Sequence, residues 1–130
     1  MARRGFDGAS TSHSAPIPAA CRAGPLIVSS LIAPFDPGTR NLPSGLSAQI
    51  ENLFGHIDDV LQTAGARRDD LVKVSFFVSS GEARQIINEH WVSWFPDKTN
   101  SPARHIHELP QHHERVPTCE FLAYTHDTRI

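Results

Sequence analysis

The chain has 130 residues, a net charge of -2 and a sequence pI of about 6.4. That length fits one domain and lets roughly two-thirds of the unfolded surface be buried, so no disulfide or metal staple is required. The slight acidic excess argues against a dedicated nucleic-acid binder, and no apolar run approaches the roughly 20 residues of a membrane span. Arg3 and Arg4 are followed by no apolar stretch, so no signal peptide is expected. Cys21 and Cys119 are isolated, without CxxC or Cys/His zinc spacing, and read as reduced thiols of a cytoplasmic protein. Residues 1–14, rich in Gly, Ser and Ala, read as a flexible arm, and residues 15–130 as a single domain.

The apolar stretch from Ile17 to Cys21, a turn at Arg22-Ala23-Gly24-Pro25, and Leu26 to Ser30 predict an opening hairpin. Pro34 to Pro43 is turn-rich and forms a loop. Leu46, Ile50, Leu53, Phe54, Ile57, Val60, Leu61 and Ala64 then recur at three- and four-residue steps, the apolar face of an α-helix. Ser44 is the expected N-cap and Gly65 the glycine that stops the helix. From Leu71 to Ser79 the pattern alternates, with Val72, Val74, Phe76 and Val78 on one face of a strand. Gly81 to Trp94 is a second helix, ended by Phe95-Pro96. Strands over Ala103–Leu109 and Val116–Tyr124 complete the order β-β-α-β-α-β-β, with Gln111-His112-His113-Glu114 as the hairpin loop between them.

Two helices cover only one face of such a sheet. The other face would carry Phe77, Leu122 and Tyr124 into water, so it is expected to pack against further copies of the chain.

Arg104 opens a predicted strand. Its planar fork suits a substrate carboxylate, although an isolated arginine also serves as a solvated surface residue. Glu120 shares a strand face with Val116, Thr118, Leu122 and Tyr124. A carboxylate there is either part of a site or an edge-strand charge that points to water. His105 and His107, two apart on a strand, can point the same way, whereas the adjacent His112 and His113 are poorly placed for joint ligation. No HExxH accompanies them, so no metal is expected. There is no GxSxG nucleophile elbow and no phosphate-cradling glycine loop.

Several segments together resemble the RidA/YjgF family of imine and enamine deaminases. They are RAGPLIVSSLIAPFDP over 22–37, Gln49 with Leu61-Gln62-Thr63-Ala64-Gly65, Asp70 to Val78, Asn88, Pro102-Ala103-Arg104, and Glu120-Phe121-Leu122-Ala123. The resemblance covers roughly residues 15–125. It implies an α+β, chorismate-mutase-like mixed sheet with two helices on one face, assembling as a homotrimer with ligand clefts between subunits. It further implies hydrolysis of 2-aminoacrylate or 2-imino acids to 2-oxo acids and ammonia, without metal or organic cofactor. Under that resemblance Arg104 clamps the substrate carboxylate and Glu120 activates water and handles the amine proton. Ser30 lines the pocket, Asn88 supports the cleft, and the backbone N–H of Ile106 helps hold the carboxylate.

The chain departs from the family pattern in several places: the hairpin after Arg104 is shorter, Trp91 and Trp94 add aromatic bulk to the second helix at a spacing that equally suits a core face, and two pocket positions differ. Ile17 stands where the deaminases carry a tyrosine, and Leu31 where they carry a glycine. The departures point to a divergent branch acting on a larger imine or an amino-aromatic breakdown product. The alternative is a non-catalytic trimer that binds a small carboxylate metabolite.

Overall fold

Alternation along the last strand fixes the two faces of the sheet. In the computed structural model, which describes residues 2–110 and 116–126, Cys119, Phe121 and Ala123 are buried while Thr118, Glu120 and Leu122 are half-buried. The strands are β1 (Arg4–Phe6), β2 (Ala20–Ala23), β3 (Leu26–Ser29), β4 (Leu71–Val78), β5 (Ala103–Glu108) and β6 (Thr118–Tyr124). The helices are α1 (Leu46–Thr63) and α2 (Gly81–Trp94). The sheet order is β1-β2-β3-β6-β4-β5, with β4 and β5 parallel and every other pair antiparallel. The fold is therefore the expected α+β mixed sheet. Strand β6 lies in its middle, so Glu120 is not an edge-strand charge.

The core lies between the sheet and the helices. Ile27, Val74, Phe76, Val78, Cys119, Phe121 and Ala123 meet Ile50, Leu53, Ile57, Val60 and Leu61 of α1 and Ile87 of α2. Phe54 bridges the two helices, packing tilted on Phe76 and edge-on against Trp94, with ring centroids 5.6 and 4.9 Å apart. Full burial of one such side chain stabilises the fold by roughly 1.5–3 kcal/mol.

The C-terminus of α1 is a Schellman motif. Gly65 takes a φ of 76°, its N–H donates to the Gln62 carbonyl (3.0 Å), and the Ala66 N–H donates to the Leu61 carbonyl (2.8 Å). The start differs from the sequence expectation. Gly45, not Ser44, is the N-cap, and no side chain caps the helix there. Its φ of 110° is a conformation that glycine adopts at little steric cost.

Two further differences are local. Residues 4–6, expected in a mobile arm, form an edge strand in register with Ala20–Arg22. Val72, expected inward with Val74, is exposed because the β4–β6 register shifts between Leu71 and Lys73. A bulge of this kind resets the two-residue period by one. The proposed hairpin loop at 111–114, with His112 and His113, lies outside the described residues.

Candidate functional site

The face of the sheet without helices carries two in-register rows. His105, Ser75 and Glu120 lie side by side on β5, β4 and β6, and His107, Phe77 and Thr118 form the next row. The β3–β6 register pairs Leu26 with Tyr124 and Val28 with Leu122, and an isolated bridge then pairs Ile32 with Cys119, which runs the Ser30–Leu31 segment alongside β6. The Ser30 hydroxyl donates to the Pro18 carbonyl at 2.8 Å, which ties the pocket wall to the segment bearing the exposed Ile17. Leu31, Phe77, Leu109, Val116 and Thr118 line a cavity of about 330 Å³ on this face. Thus Ile17, Ser30, Leu31 and Glu120 occupy one region, with Glu120 half-buried and, among the described residues, outside any ion pair.

Arg104 lies on the opposite face. Its register partner is the buried Val74, and its guanidinium sits 5.1 Å from the centre of the Trp91 ring on α2. Ile106, on the same side, is buried in the core. Asn88 is exposed on α2, one turn from Arg84 and one from Trp91. Burial, and then the charge of Arg84, pull the Arg104 guanidinium below its ordinary value. Arg84 is bonded to Glu108 (3.2 Å), whereas Arg104 forms no ion pair among the described residues. A partly desolvated cation beside a like charge, supported by an aromatic face, is arranged to receive an anion.

A single chain therefore does not assemble the expected site. Arg104, Asn88 and Ile106 form one half on the helix side, and Glu120, Ser30, Leu31 and Ile17 form the other on the open face. Among the described residues, no group of three His, Cys, Asp or Glu side chains is placed to hold a metal ion. No helix is long and apolar enough to cross a membrane.

A model of the family described as Endoribonuclease L-PSP matches residues 10–116. The chain belongs to this family, the RidA/YjgF family. Over 79 residues it is 31% identical to a RutC family protein of Aquifex aeolicus; the match covers 58% of this chain and 63% of that relative, less than two thirds of its length. Its fold is similar to that of YyfA, a conserved Rid-family protein of Yersinia pestis, with a TM-score of 0.83 at 23% identity over 95% of this chain and 100% of the other. RidA of an Antarctic Psychrobacter gives 0.79 at 24% over 89% and 94%. The YjgF product of E. coli gives 0.76 at 22% over 88% and 92%. At these identities the structures establish the fold.

Within this L-PSP chain, a polar stripe on α1 went unread in the sequence. Gln49, Asn52, His56 and Asp59 recur at 3-4-3 spacing. The Gln49 amide donates to the Pro43 carbonyl (2.9 Å), and Asn52 donates to Asp36 (3.0 Å) and the Pro34 carbonyl (3.2 Å). The buried His56 donates from Nε2 to the Phe35 carbonyl (2.7 Å), and its Nδ1 lies 2.8 Å from Thr11 Oγ1. Asp59 accepts from the N–H groups of Ala9 (2.9 Å) and Ser10 (3.0 Å) and from the Thr11 hydroxyl (2.7 Å). These bonds dock residues 8–13 beside the open-face half, where His13 Nε2 donates to the Leu31 carbonyl at 2.6 Å. The signal available in the sequence was that spacing of hydrogen-bonding side chains.

The family's buried Arg22 is structural. It donates from Nε to the Gly24 carbonyl (2.8 Å) and from Nη1 to the Ala64 carbonyl (2.5 Å), tying the β2–β3 turn to the end of α1.

Proposed function

We propose that the protein is a cofactor-free hydrolytic deaminase of small imine or enamine carboxylates, working in a cleft completed by a second copy of the chain. The observation that carries the reading is the partly desolvated Arg104, over Trp91 and without an acidic partner among the described residues, on a face that Glu120 of the same chain does not reach. Packing the open face of one copy against the neighbour's β5 edge joins the two halves and covers Leu26, Val28, Leu122 and Tyr124. A homotrimer with three such clefts satisfies this and follows the resemblance noted above.

In that cleft Arg104 holds the substrate carboxylate through two parallel N–H···O bonds. Glu120 takes a proton from water as it adds to the C=N carbon and returns it to the departing nitrogen. The balance is imine plus water giving 2-oxo acid plus ammonia. An imine is already electrophilic, so positioning and one carboxylate supply what the step needs. The free thiols Cys21 and Cys119 fit a reducing, cytoplasmic setting. The family's description as an endoribonuclease sits poorly with a net charge of -2.

A second reading, a trimer that binds a carboxylate metabolite without turning it over, is favoured by one observation. Ile17 and Leu31 are both exposed and apolar where a hydroxyl and open space would serve catalysis. The test generates 2-iminopropanoate and larger imines in situ with an L-amino-acid oxidase and traps surviving imine with semicarbazide. Wild-type protein is expected to lower the trapped fraction, and Arg104→Ala and Glu120→Gln to abolish the effect. No acceleration with any imine, alongside carboxylate binding that needs Arg104, establishes the binder instead.

A further inference from the structure

Three rings form a continuous stack on the open face. His105 lies over His107 at 3.7 Å between centroids with planes 25° apart, and His107 lies over Phe77 at 4.6 Å and 13°. This histidine pair and phenylalanine take no part in the chemistry assigned above. The stack ends at the cavity, because Phe77 also lines it, opposite Leu31 and beside Leu109, Val116 and Thr118. Its volume of about 330 Å³ falls at the small-ligand end of binding sites. Glu120 lies one row away, about 7 Å along the strand from the Phe77–Thr118 row.

We propose that Phe77, backed by His107 and His105, is the stacking wall for an aromatic side chain, so that the preferred substrates are 2-imino acids bearing a flat ring. The inference rests on the deaminase reading and names the substrate class for the same cleft. Four of the five cavity residues present methyl or ring surface with threonine as the fifth, so they accept an apolar group and leave a charged one unpaired. Phe77 distinguishes a flat ring from a saturated one. Aromatic pairs gain from offset or edge-on contact beyond the area they bury, whereas a cyclohexyl group offers area alone. The backing stack holds the Phe77 ring in one orientation, so little ordering is left for the ligand to impose. Geometry matches the distance: in a 3-phenyl-2-imino acid one methylene separates the reacting carbon from the ring, which lets the ring meet Phe77 while the C=N bond lies near Glu120.

The experiment uses three side chains, phenylmethyl, cyclohexylmethyl and methyl. Imines of each are made with the oxidase and trapped as before. Binding of the three matching 2-oxo acids is measured by calorimetry, which reads the wall without turnover. The phenyl ligand is expected to bind about two- to tenfold more tightly than the cyclohexyl one, with the same order in kcat/KM. Phe77→Leu is expected to bring that ratio to about one, and His107→Ala to lower it, with His107→Phe restoring it. Circular dichroism and thermal melts confirm that each variant is folded. Equal phenyl and cyclohexyl affinity, or a ratio unmoved by Phe77→Leu, overturns the stacking wall even where imines are hydrolysed. A preserved binding ratio without turnover of any imine overturns the deaminase reading and leaves the wall standing.

Discussion

Mixing two inactive variants tests whether the cleft is shared between copies. In a closed cyclic assembly each cleft takes its Glu120 half from one copy and its Arg104 half from the next. Arg104→Ala removes a charge-assisted, bidentate contact, at a cost of about 2–4 kcal/mol, or roughly 30- to 1000-fold in kcat/KM. Glu120→Gln keeps the side-chain shape and removes the group that accepts the proton from water. Each variant alone is expected to be nearly silent. Co-expressed in equal amounts and assembled at random, half of the clefts receive an intact Arg104 half, and half of those also receive an intact Glu120 half. About a quarter of the clefts are then complete, so the mixture is expected to show about a quarter of wild-type activity in the imine-trapping assay. The quarter holds for a dimer, a trimer or any larger ring, because it depends only on each cleft using two neighbours. A mixture no more active than its two parents would refute the reasoning, since it would mean that Arg104 and Glu120 act within one chain.

Asp59→Ala is expected to cost about 1–3 kcal/mol in urea denaturation; hydrogen exchange at Ala9 and Ser10, whose N–H groups Asp59 accepts, is expected to accelerate, and unchanged exchange would show that the segment is held by other contacts. Gly65→Ala places a Cβ at a φ of 76° and is expected to lower the stability by about 1–2 kcal/mol in the same assay. Burial, and then the charge of Glu120, push the Cys119 thiol far above its ordinary 9.0. Iodoacetamide is therefore expected to label Cys21 in the native protein and to reach Cys119 only on unfolding, as read by mass spectrometry. Because the unfolded chain ionises this thiol above pH 9.0 and the folded chain does not, its contribution favours folding below that pH and is lost as the pH rises past it, which denaturation at pH 8 and 10 measures.

What the sequence made legible was the part of the fold governed by period. The apolar steps from Ile50 to Leu61 define α1 because the residues that recur are the ones that become buried. The alternation in β6 likewise places Glu120 on the face without helices. The parts that escaped depend on partners far away in the chain. The segment around Ala9 and Ser10 reads as an arm because its own residues are small and polar; what orders it is Asp59, 49 and 50 residues on. Gly8 belongs to the same arrangement, since a Cβ there would run into the Asp59 carboxylate. Strand period shows that Arg104 and His105 point to opposite faces. Which of them shares a face with Glu120 is set by the β4–β5 register, and that register puts His105 there. The expected site residues thus fall into two groups, and one chain keeps the groups apart.

The residues behind the family resemblance do different work, and the difference bears on the substrate. Arg22, Gly65 and Gln49 are accounted for by folding alone: a cap on the last carbonyls of α1, its left-handed stop, and an anchor for the 34–43 loop. They explain why the chain adopts this fold and say nothing about chemistry. Arg104 and Asn88, which match the family pattern, stand on the helix-side half, where Trp91 is an added ring against Arg104. The departures at Ile17 and Leu31 fall on the half that holds Glu120, Ser30 and the cavity walled by Phe77. On the proposed reading, the end of the cleft that holds a carboxylate keeps Arg104, now over the added ring of Trp91, while the end that meets the rest of the substrate has gained apolar surface. On that reading, the departures at the second end leave the anion requirement in place and alter the side chain accepted. This is why loss of all binding in Arg104→Ala and a changed side-chain preference in Leu31→Gly are expected from the same protein. A Leu31→Gly variant that loses carboxylate affinity altogether would show that the two halves are not separable in this way.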